Sequence, residues 1–363
     1  MSTCTIYPIN DANILKCSEN ISNGNVVIFP TETVYGIGAS ALNLDAIQKI
    51  YQIKNRPGNN PLIMHILNWQ GGIIYTKLNP LETSIVESLT NTFWPGPLTI
   101  LVKKSSYVLD AISANTDWVA LRSPKHPVIR KLIEKSMVPI VAPSANISGK
   151  ITSTYKDHVL RYFKHTDVSI LIDENPSTIG IESTIVKINN NQIDIVRPGL
   201  ITKEDIQTCL KTIPNITISH VHISSQAEYP GSNISHYTAD KKTLMFNFIS
   251  YNTLNNSSDE ITQSIKNVTK EYLNQSAIID FNKKNQQYYD YFAAHVDLSE
   301  SGDLNEALFN LYNILHQLNT IDIKNILIFD FWSSKDGLYK TIYDRLYRCA
   351  NGQHTLIPLE YFN

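Results

Sequence analysis

The sequence predicts an α/β protein of two domains: a mostly parallel or mixed sheet with helices, followed by a smaller Rossmann-like α/β domain. Three observations lead there. From about residue 1 to 215, short β-branched runs alternate with amphipathic helical windows. Between about Ile216 and Asp240 the periodicity fades into a Ser-, His- and Gly-containing stretch, ISHVHISSQAEYPGSNISHYTAD, which reads as an interdomain linker. A second βα pattern then runs over 241–363, and 363 residues at the usual 100 to 200 per domain gives about two domains.

In chain order, Val26–Phe29 is a strand, and Ala46, Ile47, Ile50 and Tyr51 follow it at helical spacing. Leu62–Leu67, Leu98–Lys103, Val119–Leu121 and Pro139–Ala142 read as further strands, with helices over Leu81–Asn91 and Val128–Lys135. Beyond the linker, Thr243–Ser250, Ser276–Phe281 and Asn325–Phe331 are strands. Ser258–Asn274, Leu304–Leu318 and Gly337–Cys349 are helices, giving a sheet of domain size with no internal repeat.

Composition excludes several classes. Hydrophobic residues make up 42% and charged residues 18%, and 31 Lys+Arg against 33 Asp+Glu leave a formal charge of -2. Such a chain folds, and bulk charge is not its route to nucleic acid. Cys4, Cys17, Cys209 and Cys349 are scattered without a CxxC pair, against a disulfide framework or structural zinc. With no apolar run near the roughly 18 residues that span a bilayer and no basic-then-apolar leader, the chain reads as soluble, unprocessed and cytoplasmic, with no membrane partner. Heavy use of Ile, Asn and Lys gives Asn-rich loops little weight as signals.

Two nucleotide motifs nearly match and fail. Gly36-Ile37-Gly38-Ala39-Ser40-Ala41 has dinucleotide-loop spacing, but no Asp or Glu lies between Asp45 and Glu82 to take the ribose. Ser144 to Lys150 resembles a phosphate-binding loop with Ser in place of its first Gly and Ile151 after the lysine. What remains is a set of polar residues at the ends of apolar strands.

Each of these is weak alone. Pro30-Thr31-Glu32-Thr33 is as well explained by an ordinary turn. Lys54 and Arg56, one residue apart in a Pro/Gly loop with Asn60, converge on one anion or else form a solvated helix end. His65, inside Leu62–Ile66, is more commonly a satisfied core histidine. Trp94-Pro95-Gly96-Pro97 reads as a rigid structural turn. Arg122 ends one strand and Ala142-Pro143-Ser144-Ala145-Asn146 another, where open α/β sheets bind ligands, and the segments with Ser183 and Arg197 add a hydroxyl pair and a guanidinium. Of only seven arginines among 31 basic residues, Arg56, Arg122 and Arg197 hold such positions, and a planar fork suits carboxylate or phosphate. Arg130, Arg161, Arg345 and Arg348 fall in helical stretches as surface or packing residues. No Ser-His-Asp order, HExxH or paired-carboxylate motif appears, so the set suits phosphoryl or nucleotidyl transfer by charge and alignment.

Together the segments FPTETVYGIGASA, KNRPGNNPLIMHI, FWPGPLTILVKK, VALRSPKHP, VPIVAPSANISG, GIESTIV and IVRPG resemble, in that order, the YrdC-like L-threonylcarbamoyladenylate synthases. The linker Pro230 to Tyr237 and the helix Gly337 to Ala350 are similar to those of the two-domain members. The resemblance implies a YrdC-like twisted mixed sheet over 1–215, a linker or lid over 216–240 and a Rossmann-like domain over 241–363. It implies that ATP, L-threonine and bicarbonate become threonylcarbamoyl-AMP and pyrophosphate for the threonylcarbamoyladenosine modification of tRNA. By the same resemblance Thr31, His65, Arg122, Ala142 and Ser183 hold L-threonine. Lys54, Arg56, Asn60, Ser144, Asn146, Thr152, Arg197 and Tyr237 hold ATP, with Lys54 and Arg56 catalytic. Mg2+ accompanies the phosphates, and no residue is assigned as a metal ligand. The implied partners are a downstream tRNA threonylcarbamoyl transferase complex and a weak direct contact with tRNA.

The chain departs from the family's pattern at Thr152, where a serine is usual, at Trp118, where a smaller hydroxyl residue is common, and at Ser232 and Thr238-Ala239 in the linker. Three other functions stay open: a related carbamoyl-adenylating enzyme of hydrogenase maturation, whose zinc-finger cysteines and acylphosphatase-like region this chain lacks; an RNA-binding module without catalysis; and an unrelated regulatory ATP-binding protein.

Overall fold

Short apolar runs, each too brief to bury itself, pair into sheets whose alternating faces decide what is core and what is site. The computed structural model describes residues 3–221, 229, 237–249, 269–330, 332 and 337–362. The chain divides into two compact units, one formed by 1–148 and 152–233, the other by 149–151 and 234–363.

The first unit is an eleven-stranded mixed sheet. Its strands are β1 (Thr5–Pro8), β2 (Val27–Phe29), β3 (Gly36–Ser40), β4 (Ile63–His65), β5 (Leu98–Lys103), β6 (Trp118–Arg122), β7 (Ile140–Val141), β8 (Ser169–Ile172), β9 (Thr184–Asn189), β10 (Gln192–Arg197) and β11 (Thr217–His220). They lie in the order β1-β8-β2-β3-β7-β4-β6-β5-β9-β10-β11. β4 runs parallel to β6, β5 antiparallel to β6 and parallel to β9, and β9 antiparallel to β10. The ends of β4, β6 and β10 and the starts of β5 and β9 therefore share one edge. His65, Arg122, Thr99, Ser183 and Arg197 are at that edge.

Period-two alternation then sorts the faces. Met64, Leu98, Ile100, Val119, Leu121, Val141 and Val186 point into the main core. The intervening residues point the other way. Over β2 and β7 that opposite face is covered by the helices Asp11–Ser22 and Pro127–Ser136, packed on Val27, Phe29, Ile140 and Ala142. Farther along it carries a smaller cluster of Ile63, Leu101, Ala120, Ile185, Val196 and Tyr229. His65, Thr99 and Arg122 sit two residues from members of that cluster, on its side of the sheet.

The Gly36-Ile37-Gly38 spacing has a packing cause. A Cβ on Gly36 or Gly38 would stand 2.9 Å from the ring of Phe29 on the paired strand. The glycines make room for an aromatic, and nothing in them requires a dinucleotide.

The second unit is a five-stranded, wholly parallel sheet of β12 (Lys242–Ile249), β13 (Ser276–Asp280), β14 (Ala294–Asp297), β15 (Asn325–Phe329) and β16 (His354–Pro358), ordered β14-β13-β15-β12-β16. The helices Leu304–Leu318 and Leu338–Cys349 accompany it. Both fold-class expectations hold. Of the expected helix Ser258–Asn274, residues 258–268 lie outside the described residues, and Lys270–Leu273 is helical. The stretch read as linker from Ile216 begins with a strand, β11, parallel to β10. Asparagine deserves more weight than composition gave it: Asn10, Asn43, Asn68 and Asn79 cap helices, each side chain accepting from a backbone N–H. Arg345 and Arg348, read as surface or packing residues, are buried beside Asp344 in one helix. Among the described residues no helix is long and apolar enough to cross a membrane.

Candidate functional site

The helix Leu44–Lys54 starts on the Asn43 cap and stops because Asn55 adopts a left-handed φ of 50°. That reversal turns the chain so that the Arg56 N–H donates to the Tyr51 carbonyl, 2.9 Å. Lys54, the last helical residue, is thereby carried inward, only 1% exposed. Its Nζ donates to the Ser144 carbonyl at 2.6 Å and to the Asn146 carbonyl. Burial, with Arg56 close by, pulls its ammonium well below the ordinary lysine range.

Arg56 is half-buried and pins the Pro/Gly loop. Its Nε donates to the Asn60 carbonyl (3.0 Å), and its Nη2 to Asn60 Oδ1 (2.6 Å) and the Pro61 carbonyl (2.7 Å). Burial first, with the charge of Arg197 adding to it and Tyr51 opposing, pulls Arg56 down to about 10. It still carries full charge at neutral pH. Ser144 Oγ donates to Asn146 Oδ1, 2.6 Å, so the Ser-Ala-Asn turn is fixed by its own side chains and by Lys54.

Arg122 closes β6 and is buried on three acceptors: the Gly96 carbonyl from Nε (3.2 Å), Thr33 Oγ1 from Nη1 (2.9 Å) and Glu32 Oε1 from Nη2 (2.6 Å). Gly96 must be glycine, because a Cβ there would lie 2.4 Å from the Phe93 carbonyl oxygen. The Trp-Pro-Gly-Pro turn, read as structural, thus also forms a wall of the site. Burial works against the charge of Glu32, yet Arg122 and backbone N–H donors outweigh it and hold the carboxyl below its usual range.

Thr31 Oγ1 donates to the Val34 carbonyl at 2.6 Å and caps its own turn. His65 pairs in register with Arg122 and Ile140. Its Nδ1 donates to the Ile140 carbonyl, 3.3 Å, leaving Nε2 as an acceptor. Burial first, and then the charge of Arg122, pull His65 down to about 3, so the ring is neutral. Ala142 is buried, its N–H donating to the Ile63 carbonyl.

Ser183 is buried with its Oγ 2.7 Å from Thr99 Oγ1. Arg197 donates from Nε to the Ser183 carbonyl and from Nη2 to Ser183 Oγ, both at 3.0 Å. One residue back, Glu182 Oε1 accepts from Thr152 Oγ1 at 2.7 Å. The loops interlock through backbone. Tyr35 N–H donates to the Ser153 carbonyl, the Tyr35 carbonyl accepts from Ala145 N–H, and the Glu32 carbonyl accepts from Ile179 N–H.

Thr31, Lys54, Arg56, Asn60, His65, Arg122, Ala142, Ser144, Asn146, Thr152, Ser183 and Arg197 all belong to the first unit and are buried or half-buried. Arg56, Arg122 and Arg197 do not splay outward. Tyr237 belongs to the second unit. It is fully buried there, with its ring 5.2 Å from that of Tyr312 and 5.3 Å from the Arg345 guanidinium. Sequence reasoning missed Glu32, Thr33, Gly96, Thr99 and Glu182 as members of the site. A signal existed for Glu32: it is the only carboxylate between Glu19 and Asp45, and it stands at the end of an apolar strand. Among the described residues no group of three or more His, Cys, Asp or Glu could hold a metal ion, and Glu32 is committed to Arg122.

A family model named for Sua5, YciO and YrdC and described as telomere recombination matches residues 19–199. A second, described as the threonylcarbamoyl-AMP synthase C-terminal domain, matches residues 201–351. A threonylcarbamoyl-AMP synthase of Pyrococcus abyssi is 38% identical over 225 residues, which are 62% of this chain and 65% of that protein. The matched region thus spans a little under two thirds of that relative. A threonylcarbamoyl-AMP synthase of Schizosaccharomyces pombe is 29% identical over 94% of this chain and 88% of its own length. The crystal structure of P. abyssi Sua5 complexed with L-threonine superposes with a TM-score of 0.79 at 29% identity, covering 98% of this chain and 99% of that one.

Proposed function

From the premise that the chain belongs to the Sua5/YciO/YrdC family of threonylcarbamoyl-AMP synthases, we propose that it makes threonylcarbamoyl-AMP and pyrophosphate from ATP, L-threonine and bicarbonate. The observation that carries this reading is a crowding of like charge. Lys54, two residues before Arg56 and bonded to the Ser144 and Asn146 carbonyls, is lowered first by burial and then by Arg56, and Arg56 first by burial with Arg197 adding to it, so an entering anion relieves both. A triphosphate supplies that anion. The L-threonine complex of the P. abyssi relative supports the amino acid as the second ligand.

In this reading Thr31, His65, Arg122, Ala142 and Ser183 hold threonine, with Arg122 on its carboxylate. Lys54, Arg56, Asn60, Ser144, Asn146, Thr152 and Arg197 hold ATP. The threonine amine captures bicarbonate and loses water to give a carbamate. A carbamate oxygen then bonds to the α-phosphorus as the bond to the β-phosphate oxygen breaks and pyrophosphate leaves. Lys54 and Arg56 oppose the charge that builds on the phosphates, and neutral His65 accepts through Nε2 without adding a competing cation. Mg2+, when bound, would neutralise charge on the phosphates.

The product serves tRNA modification in the cytoplasm, passed to a transferase complex, with a weak direct tRNA contact as a further expectation. The test is pyrophosphate release from ATP by the full chain. Release that requires both L-threonine and bicarbonate is the expected outcome, and release indifferent to threonine overturns the reading.

A further inference from the structure

We propose that Glu32, together with Thr33, is a positioning residue that presets Arg122 for the carboxylate of the amino-acid substrate. The inference rests on the functional reading above and adds residues that it does not assign. An arginine has five N–H donors. Arg122 gives three of them to the protein: Nε to the Gly96 carbonyl, Nη1 to Thr33 Oγ1 and Nη2 to Glu32 Oε1. Three anchors fix the plane of the guanidinium. One N–H on each terminal nitrogen remains, the pair that grips a carboxylate bidentately.

Charge points the same way. The Arg122 and Glu32 side chains are 4% and 7% exposed, too deep for either to stand charged without the other. Glu32 is itself steadied by the His126 N–H, 3.3 Å from Oε2. His126 is held in turn as the cap of the helix Pro127–Ser136, its own ring 3.4 Å from Asp173. The ion pair therefore stands at the end of a chain of fixed groups, and Arg122 needs no reorganisation when a carboxylate arrives. Remote anchoring of this kind affects the amino acid and leaves the nucleotide alone. The donors assigned to ATP, Lys54 and Arg56, bond to none of these residues.

The experiment is a steady-state comparison of the full chain with Glu32→Gln, Thr33→Val and Thr33→Ser, each first checked for a cooperative melt. Glu32→Gln keeps shape and removes the charge. It is expected to raise the threonine KM by at least about 10-fold while the ATP KM stays within about twofold. Thr33→Val shifts the threonine KM in the same direction, and Thr33→Ser, which restores the acceptor for Nη1, returns it to the wild-type value. If Glu32→Gln does not fold, the Thr33 pair decides. Parallel rises in both KM values, or a threonine KM unchanged in the folded variants, overturn the inference. Threonine-independent release by the wild-type chain fails the functional reading first, so the two failures are distinguishable.

Discussion

Replacing Lys54 by methionine separates the chemical role of a buried cation from its structural one. The ammonium is 1% exposed and bonded to two backbone carbonyls, those of Ser144 and Asn146. Two hydrogen bonds from a charged donor contribute roughly 1.5–3 kcal/mol each, so about 3–6 kcal/mol is lost. Removing a desolvated charge returns several kcal/mol, and methionine fills most of the same volume. These terms nearly cancel, which leaves a net change within about 2 kcal/mol and a melting shift of no more than about 4–8 °C. Turnover has no such compensation. Loss of one preorganised charge facing the phosphates lowers the rate about 100- to 1000-fold. Differential scanning calorimetry and threonine-dependent pyrophosphate release, measured on the same preparation, give both numbers. A Lys54→Met protein that melts normally and turns over within tenfold of the wild type would refute the argument.

The other two substitutions address the loop and the histidine. Arg56→Ala removes three hydrogen bonds that pin residues 57–61, which water partly replaces at this half-buried position, so it should cost about 2–4 kcal/mol of stability while lowering turnover by at least about 100-fold; a denaturant melt and the same release assay check both, and unfolding without a specific kinetic loss makes the residue structural. His65 is held at about 3 against about 6.5 unfolded, so the native state binds fewer protons between those values and stability falls as pH drops through that window. By pH 5 the loss is about 2 kcal/mol relative to pH 8, and His65→Gln should remove it. The Glu32 carboxyl, lowered in the fold, contributes stability that is present above its unfolded value near 4.5 and is lost only below that. Burial lowers His126 as well, so it draws on the same window, and the His65 share is the difference between the acid losses of the wild type and of His65→Gln in urea titrations at pH 8 and pH 5; an equal loss in His65→Gln would show that another group carries it.

Much of the fold was legible because its period was. The strand Leu98–Lys103 and the helix Leu304–Leu318 were delimited correctly from apolar spacing, and Val128–Lys135 fell one residue short at each end of Pro127–Ser136. β1 gave no apolar run, since only Tyr7, opposite Leu171 of β8, packs against a core cluster and the other three residues are exposed. The strand Leu62–Leu67 proved shorter, ending at His65 where the Leu67 carbonyl turns to meet Ser123 Oγ and Arg130. In the site, the strand-end positions of Arg122 and Arg197 were readable, because sheet direction brings such ends together. The partners of Arg122 were not: Glu32 and Gly96 are 90 and 26 residues away, and only the folded path of the chain brings them to it.

The alternation along β6 divides mutational tolerance by parity. Val119 and Leu121 face the main core, and Trp118, Ala120 and Arg122 face the other side, where Arg122 meets Glu32. A saturation library along this strand would therefore record two interleaved selections. Odd positions would report abundance in the cell; of the even ones, Ala120 would report the packing of the smaller cluster and Arg122 substrate use. Drift at one set can leave the other untouched, so a lineage could retune what the pocket accepts without renegotiating the interior on which the strand rests.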